Sequence, residues 1–453
     1  MNVILLVVDT LRARSMSCYG YPKPTCPNID RFARQGVLFE NTSAVVHNTH
    51  PAFTTLFTGM YPITHRVVRM NGNYALEHQR FRLLPQLMKL GGFKTASIDN
   101  LEGAGQAVQA RWMNRGFDMH YNYILRDSGA KHEREMLCNI NRTAFGMLEE
   151  LKNERFFLFI HPWDTHSPYL PREEFARQFH KGDPSKRVNY GVHVKADYDE
   201  TPSGRCLPHM KQPDPENILY TRAMYHACVA DMDEAFGALL KKLDELGLAE
   251  DTLVVLTSDH GENLAEHTTL FNHRWAYEDC ISIPLILRWP KGLPSGKRIQ
   301  AFAQQTDVAP TILDLAGAPP EPVMDGLSLA PVMRGQTDQT YPYAHMHATI
   351  PDTRRAIRSQ RYKFIEWLEG CPREADVAPL ELYDLQEDPG ETKNLIDEKP
   401  DAARQLQSEL RRWVEEKMEH SKEIFGARRL DPLIEQAWQG HIPYVGIPRW
   451  FPR

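Results

Sequence analysis

The chain has 453 residues, more than one ordinary core accommodates, so two domains or one large domain carrying a smaller one are expected. A hydrophobic content of 42% and a charged content of 25% are those of a soluble globular protein. The net charge of -6 argues against nucleic acid as the natural partner, while leaving room for a local basic pocket that takes an anionic substrate.

Met1 leads directly into NVILLVVD. No basic residues precede this run and no small-residue cleavage site follows it, so it reads as a buried strand and not as a signal peptide. No run reaches the length of a membrane span, and no membrane partner is expected. Residues 2–8 are continuously apolar and β-branched, the mark of a central parallel strand covered on both faces. The strand ends at Asp9-Thr10. In open α/β sheets ligands collect at the carboxyl ends of strands, although a lone Asp there serves equally well as a cap.

The next stretch, PTCPNIDRFARQGVLFENTSAV, reads as turn, helix and short strand, the helix opened by Pro27 or Asn28 and closed by Gly36. HPAFTTLFTG, residues 50–59, reads as a loop running into a helix, with Pro51 tolerated near the start. That places the Thr49 hydroxyl near a helix N-terminus, where backbone N–H groups and the dipole favour an anion. A hydroxyl, an anion pocket and a metal are the parts of a nucleophilic ester hydrolase. Residues 81–90 predict a helix stopped by Gly91-Gly92, and residues 93–98 a further strand. Such alternation implies a mostly parallel sheet flanked by helices.

Residues 138–152 form an amphipathic helical pattern and 155–161 a buried strand that runs into HPWDTHSPYLP, a loop at a strand end. His161 reads as structural and His166 as a candidate acid. Residues 180–214 lack a clear period and read as a long surface insertion. A long helix is expected over 218–246, then a central strand over 252–257 that delivers Asp259 and His260 to its carboxyl end. His273, Arg274 and Trp275 lie on the loop that follows, and residues 304–316 read as a helix ended by Gly317. Beyond Asp325-Gly326 the pattern changes to short strands over 341–347, 353–358 and 361–367, as in an antiparallel sheet, followed by a charged helix over 401–419. The tail 421–453 carries Trp438, Tyr444, Trp450 and Phe451, an aromatic terminus that docks on its own body or on a second subunit, which leaves a homo-oligomer open. The division expected is 1–335 for the catalytic α/β domain, 336–420 for a C-terminal α+β subdomain and 421–453 for the tail.

Seven cysteines, at 18, 26, 138, 206, 228, 280 and 371, are odd in number and form no CxxC pair. Reduced thiols in a cytoplasmic protein are the simplest reading, a Cys18–Cys26 disulfide the lesser alternative.

Six blocks together resemble the sulfatase branch of the alkaline phosphatase superfamily: VVDTLRARSMSCYGYPKPTCPNID, HPAFTTLFTGMYP, WDTHSPYLP, TSDHGENLAEH, TDVAPTILDLAG with DGLSL, and ELYDLQEDPGETKNL. They stand in the family's order and span nearly all of residues 1–400. The resemblance implies the fold, a large mostly parallel sheet with a smaller C-terminal antiparallel sheet plus helix. It also implies a divalent metal held by Asp9, Thr49, Asp259 and His260, with Thr49 as nucleophile. Carboxylates, imidazole and alkoxide suit Mn²⁺ or Zn²⁺, with Mg²⁺ and Ca²⁺ the lesser choices. True type I sulfatases carry at this position a Cys, oxidised to formylglycine, with an Arg four residues later; here the residues are Thr49 and Phe53. A formylglycine hydrate expels sulfate from a hemiacetal, a route closed to Thr. A Thr phosphate can be hydrolysed in line, which favours a phosphate or phosphonate ester over a sulfuric ester. An inactive binding protein is the third alternative.

Two lysines expected by the resemblance are replaced, one by Asp99-Asn100 and one by His273. The substrate pocket is then assigned to His50, Asn100 and Arg274, with His50 and Arg274 making up part of the missing positive charge. His166, with His273 beside it, is assigned as the acid for the leaving group. Asp164, His166 and His273 are a candidate second metal site, and His267 is left unassigned between a ligand and a hydrogen-bond partner of His260. The partner expected is a small anionic ester.

Overall fold

The computed structural model describes residues 1–68, 81–101, 111–123, 136–190, 214–267, 270–273, 275–347, 354–367 and 378–425. At its centre β1 (Asn2–Val8) is buried along its whole length. Val3, Leu5 and Val7 face one apolar cluster and Ile4, Leu6 and Val8 another, the period-2 alternation of a strand with a layer on each side. Around it lie β2 (Val37–Ser43), β3 (Lys94–Asp99), β4 (Met119–Asn122), β5 (Phe156–Ile160), β6 (Thr252–Ser258), β7 (Leu285–Arg288) and β8 (Lys297–Gln304). The eight strands follow the order β4-β3-β5-β1-β6-β7-β2-β8. All pairings are parallel except those of β7, which runs antiparallel to both β6 and β2.

The main helices are α1 (Pro27–Arg34), α2 (Thr49–Thr58), α3 (Leu84–Leu90), α4 (Leu137–Leu151), α5 (Glu173–Phe179), α6 (Pro215–Glu245), α7 (Val308–Ala316) and α8 (Pro400–Phe425). Phe53 of α2, Leu87 of α3 and Ile312 of α7 enter the cluster on one face of the sheet. Phe32 of α1, Leu148 of α4 and Phe236 of α6 enter the cluster on the other. The expected α/β sandwich is therefore present.

Several boundaries differ from the sequence reading for local reasons. The helix expected over 81–90 begins only at Leu84, because Pro85 fits the first turn alone and the Gln86 side chain accepts the Leu83 N–H at 3.0 Å. The helix expected over 304–316 splits: Gln304 closes β8, Gln305–Asp307 form a 3₁₀ turn, and α7 follows. Beyond it, β9 (Ala344–Met346), β10 (Arg354–Arg358), β11 (Tyr362–Trp367) and β12 (Leu380–Asp384) form a separate antiparallel sheet in the order β12-β11-β10-β9. The ELYD run lies in the edge strand β12. The helix expected over 401–419 extends to Phe425, so the first residues of the 421–453 tail are helical and Arg66 lies over the Phe425 ring at 4.4 Å. Residues 426–453, most of the 180–214 insertion, Cys206 and Cys371 lie outside the described residues.

Asp325 ties the C-terminal helix to the α2 region. Its Oδ2 accepts the Tyr61 N–H at 2.9 Å, while His420 of α8 meets Oδ1 at 2.9 Å and Lys417 lies 3.3 Å away. Gly59, at φ 65°, caps α2 and offers its carbonyl to the N–H groups of Asp325 and Gly326.

Two outcomes follow from this packing. Leu6→Ala should lower stability by about 2–5 kcal/mol in calorimetric unfolding, whereas Leu90→Ala, at a side chain 61% exposed, should change it by less than about 0.5 kcal/mol. The hydrogen bond to Asp325 raises the His420 pKa above its ordinary value. Its stabilisation is therefore fully present below about pH 6.5 and is lost as pH rises through the higher folded value. The thermal midpoint of the wild type should fall across that interval more steeply than that of His420→Ala.

Candidate active site

Three neighbouring parallel strands build the floor of the site. β1 pairs with β5 on one side and β6 on the other, in registers that match Leu6 to Ile160 and Val8 to Ser258. The residues that leave these strands are His161, Asp9 and Asp259, and all three are fully buried. Asp9, Asp259 and His260 each present one ligand atom within 4.8 Å of the other two.

The backbone and neighbouring side chains hold this cluster in place. Asp259 Oδ1 accepts the N–H groups of Thr10 at 3.1 Å and His260 at 2.9 Å, which turns Oδ2 towards the cluster. Thr10 adopts a left-handed φ of 58°, a strained conformation for a β-branched residue, and it is this turn that aims the Thr10 N–H at Asp259. Thr165 donates its hydroxyl to the Asp9 carbonyl, and the Gln305 side chain donates to the Asp259 carbonyl at 2.8 Å. His260 Nδ1–H donates to the Gly261 carbonyl at 3.0 Å, so Nε2 carries the lone pair in the neutral ring. Burial holds the His260 pKa below its ordinary value and keeps the ring neutral. His161 is arranged alike: Nδ1–H donates to the Val7 carbonyl at 2.9 Å, Nε2 lies 3.7 Å from Asp9 Oδ2, and burial lowers its pKa to about 4.

A divalent cation fits this donor set. Asp259 Oδ2 and His260 Nε2 are buried 3.3 Å apart, and neither makes a hydrogen bond among the described residues. Two carboxylates at one buried point are costly unless positive charge meets them.

Thr49 is the first residue of α2 and is buried. Phe53, one turn later on the same face, meets the His161 ring edge-on at 4.4 Å, which packs α2 against the residue that follows β5. His50 follows Thr49, in contact with the backbone of Leu101 just past β3, where Asn100 is also buried. Burial lowers the His50 pKa to about 4. His50 is therefore a neutral hydrogen-bonding group near pH 7 and not the compensating cation expected of it. Arg274 lies outside the described residues.

His166 and His273 stand together at the rim. Their ring centroids are 5.4 Å apart, and His273 lies 4.7 Å from His260. His166 Nδ1–H donates to the Ser167 carbonyl at 2.6 Å, so the proton it exchanges is the one on Nε2. Glu262, which sequence reasoning missed, is buried with Oε1 3.8 Å from His273 Nδ1; burial raises its pKa to about 8.

Two further expectations are corrected. Asp164 turns its Oδ2 to the Leu137 N–H at the start of α4, 2.8 Å away, and so forms no metal cluster with His166 and His273. His267 stacks on Tyr277 at 3.7 Å and faces Asp279, not His260.

Acidic and imidazole donors gathered at adjacent strand ends of a mostly parallel sheet suit an ester-cleaving hydrolase. The chain belongs to the sulfatase family, whose model matches residues 1–318; a second model, the C-terminal region of N-sulphoglucosamine sulphohydrolase, matches residues 265–420. Among curated proteins it is 26% identical to an N-acetylglucosamine-6-O-sulfatase of Bacteroides thetaiotaomicron, over 93% of this chain and 87% of that one. It is 28% identical to arylsulfatase K of Bos taurus, over 90% and 81% of the two chains. Among solved structures the phosphonate monoester hydrolase of Silicibacter pomeroyi shares the fold, with a TM-score of 0.71 at 19% identity over 94% of this chain and 96% of that one. The protein is an ester-cleaving hydrolase, and enzymes of its family generally depend on a divalent metal.

If Asp259 and His260 are ligands, Asp259→Asn and His260→Ala should each weaken Mn²⁺ binding in calorimetric titration by about 100-fold or more, and His161→Gln by about tenfold. His166→Ala should leave the affinity unchanged.

Proposed function

We propose that the protein hydrolyses phosphate or phosphonate esters through Thr49, which occupies the position that formylglycine holds in type I sulfatases. The observation that carries this is the residue itself: position 49 is Thr, at the first turn of α2, with Phe53 where an Arg would serve a sulfate. Thr cannot become formylglycine, so an ester of Thr49 is released only by attack of water on its central atom. Phosphorus accepts such in-line displacement readily.

Asp9, Asp259 and His260, with the Thr49 oxygen, would hold a divalent cation, which would supply positive charge to favour ionisation of the hydroxyl and to offset charge on the transferred group. In the first half-reaction the Thr49 Oγ1 forms a bond to phosphorus, its proton passes to solvent, and the bond to the leaving oxygen breaks. His166 Nε2–H protonates that oxygen, a role worth about 10²–10⁴-fold. In the second half-reaction His166 Nε2 takes a proton from water as the water attacks phosphorus. The bond to Thr49 breaks, and its oxygen takes a proton back from solvent. The N–H groups at the start of α2 and the neutral His50 ring offer hydrogen bonds to the anionic oxygens. His273, beside His166 and Glu262, holds the acid in place.

The second reading, a sulfuric ester hydrolase that uses Thr, is favoured by the sulfatases among its sequence relatives. Paired aryl phosphate, aryl phosphonate and aryl sulfate esters separate the two. The expected result is a higher kcat/KM for the phosphorus esters, lost by about 10³-fold or more in Thr49→Ala and largely kept in Thr49→Ser. Faster cleavage of the sulfate would favour the second reading. Phosphoester cleavage undiminished in Thr49→Ala would remove the nucleophile.

A further inference from the structure

On elements distinct from the catalytic cluster, a 3₁₀ turn (Ser17–Tyr19) and the start of α1 bring two thiols and a carboxylate together. Cys18, Cys26 and Asp30 each present one donor atom within 4.8 Å of the other two. Cys26 is the residue before the first turn of α1 and Asp30 lies one turn on, so the two share a helix face. Cys26 Sγ is 3.4 Å from Asp30 Oδ1. A tetrahedral Zn²⁺ with bonds of about 2.3 Å to sulfur and about 2.0 Å to oxygen separates those two ligand atoms by about 3.5 Å, so this edge already has the right length.

The surroundings suit a soft cation. Cys26 is fully buried, while Cys18 and Asp30 are partly exposed and leave a path from solvent. Ser17 donates its hydroxyl to Asp30, with oxygen distances of 2.9 and 3.0 Å, and holds the carboxylate towards the thiols. That is the outer-shell support which fixes a ligand carboxylate. All five cysteines among the described residues are free thiols, so the pair is available as ligands.

We propose that Cys18, Cys26 and Asp30 form a second metal site, separate from the catalytic one, that takes Zn²⁺ with solvent as the fourth ligand. Two thiolates select Zn²⁺ over Mg²⁺, Mn²⁺ and Ca²⁺, so this site and an oxygen-rich one can hold different metals. Binding displaces both thiol protons to solvent and leaves the cluster with one net negative charge, with no change in oxidation state. The site joins the loop after β1 to α1, so occupancy stiffens the segment that follows Asp9 and Arg12.

The test uses the full chain, reduced and stripped of metal, titrated with Co²⁺ and then with Zn²⁺. Co²⁺ bound by thiolates shows a sulfur-to-metal absorption band, which Zn²⁺ bleaches on displacement. The band is expected in the wild type and in Asp259→Asn, and is expected to be lost in Cys18→Ser and in Cys26→Ser. Asp30→Asn should weaken Zn²⁺ binding by about tenfold or more, and Zn²⁺ but not Mg²⁺ should slow alkylation of Cys18 by about tenfold or more. Cys18→Ser, at the partly exposed position, answers the question if Cys26→Ser fails to fold. A wild type without the band, a band that persists in Cys18→Ser, or a Cys18–Cys26 disulfide that resists reduction under native conditions would overturn the site.

Discussion

The structure depends on the parallel register that brings the ends of β5, β1 and β6 side by side. With strands about 4.8 Å apart, residues that leave adjacent strands at matching levels must meet. Asp9 and Asp259 leave β1 and β6 at the same level, His161 leaves β5 level with Val7, and none is reached by solvent. Burying two carboxylates together works against folding by several kcal/mol unless charge or hydrogen bonds offset it. The backbone N–H groups of Thr10 and His260 meet one oxygen of Asp259, and the other stays directed at His260 Nε2. An arrangement that sustains this cost with rigid supports is the signature of a preformed cation site, not of a core that happens to contain acids.

The same geometry explains the departures around Thr49. Phe53 packs edge-on against His161 and Phe159, and Phe57 meets Phe159 as well. An Arg at position 53 would have to bury a guanidinium among those rings. The aromatic residue anchors α2 to β5 instead, and so fixes the start of the helix where Thr49 stands. His50 adds no positive charge there, since its burial keeps it neutral. Under the proposed function, recognition of an anion there would fall to neutral donors, backbone N–H groups and His50.

How much was legible in the sequence follows from what each element depends on. β1 and β6 were readable because a strand buried on both faces must be continuously apolar, and Asp9, Asp259 and His260 were readable as polar residues at the ends of such runs. Strand order was not readable, since it is set by crossovers that leave no local pattern. That His161, read as a structural residue at a strand end, follows the strand next to β1 could be seen only in the fold. The antiparallel β7 likewise has the same apolar character as its parallel neighbours. Asp164 was a candidate ligand with His166 and His273, yet the loop sends its Oδ2 to the first N–H of α4. Spacing along a loop does not determine direction, whereas spacing along a strand or helix does.

That distinction also separates the two clusters of donors. The group of Asp9, Asp259 and His260 draws its donors from strand ends far apart in sequence, so only the fold assembles it, and its supports are backbone groups together with the Thr165 and Gln305 side chains. Cys26 and Asp30 are one helical turn apart, and Cys18 lies a single short loop away. A local site of this kind can form before the sheet closes, and metal bound there would lower the entropy of the segment that leads out of β1. The residues immediately before that segment are Asp9 and Thr10, whose strained turn aims an N–H at Asp259. Order at the thiol cluster and order at the cation site are thus linked through one short stretch of chain, and loss of the first would be felt at the second as a looser hold on Asp259.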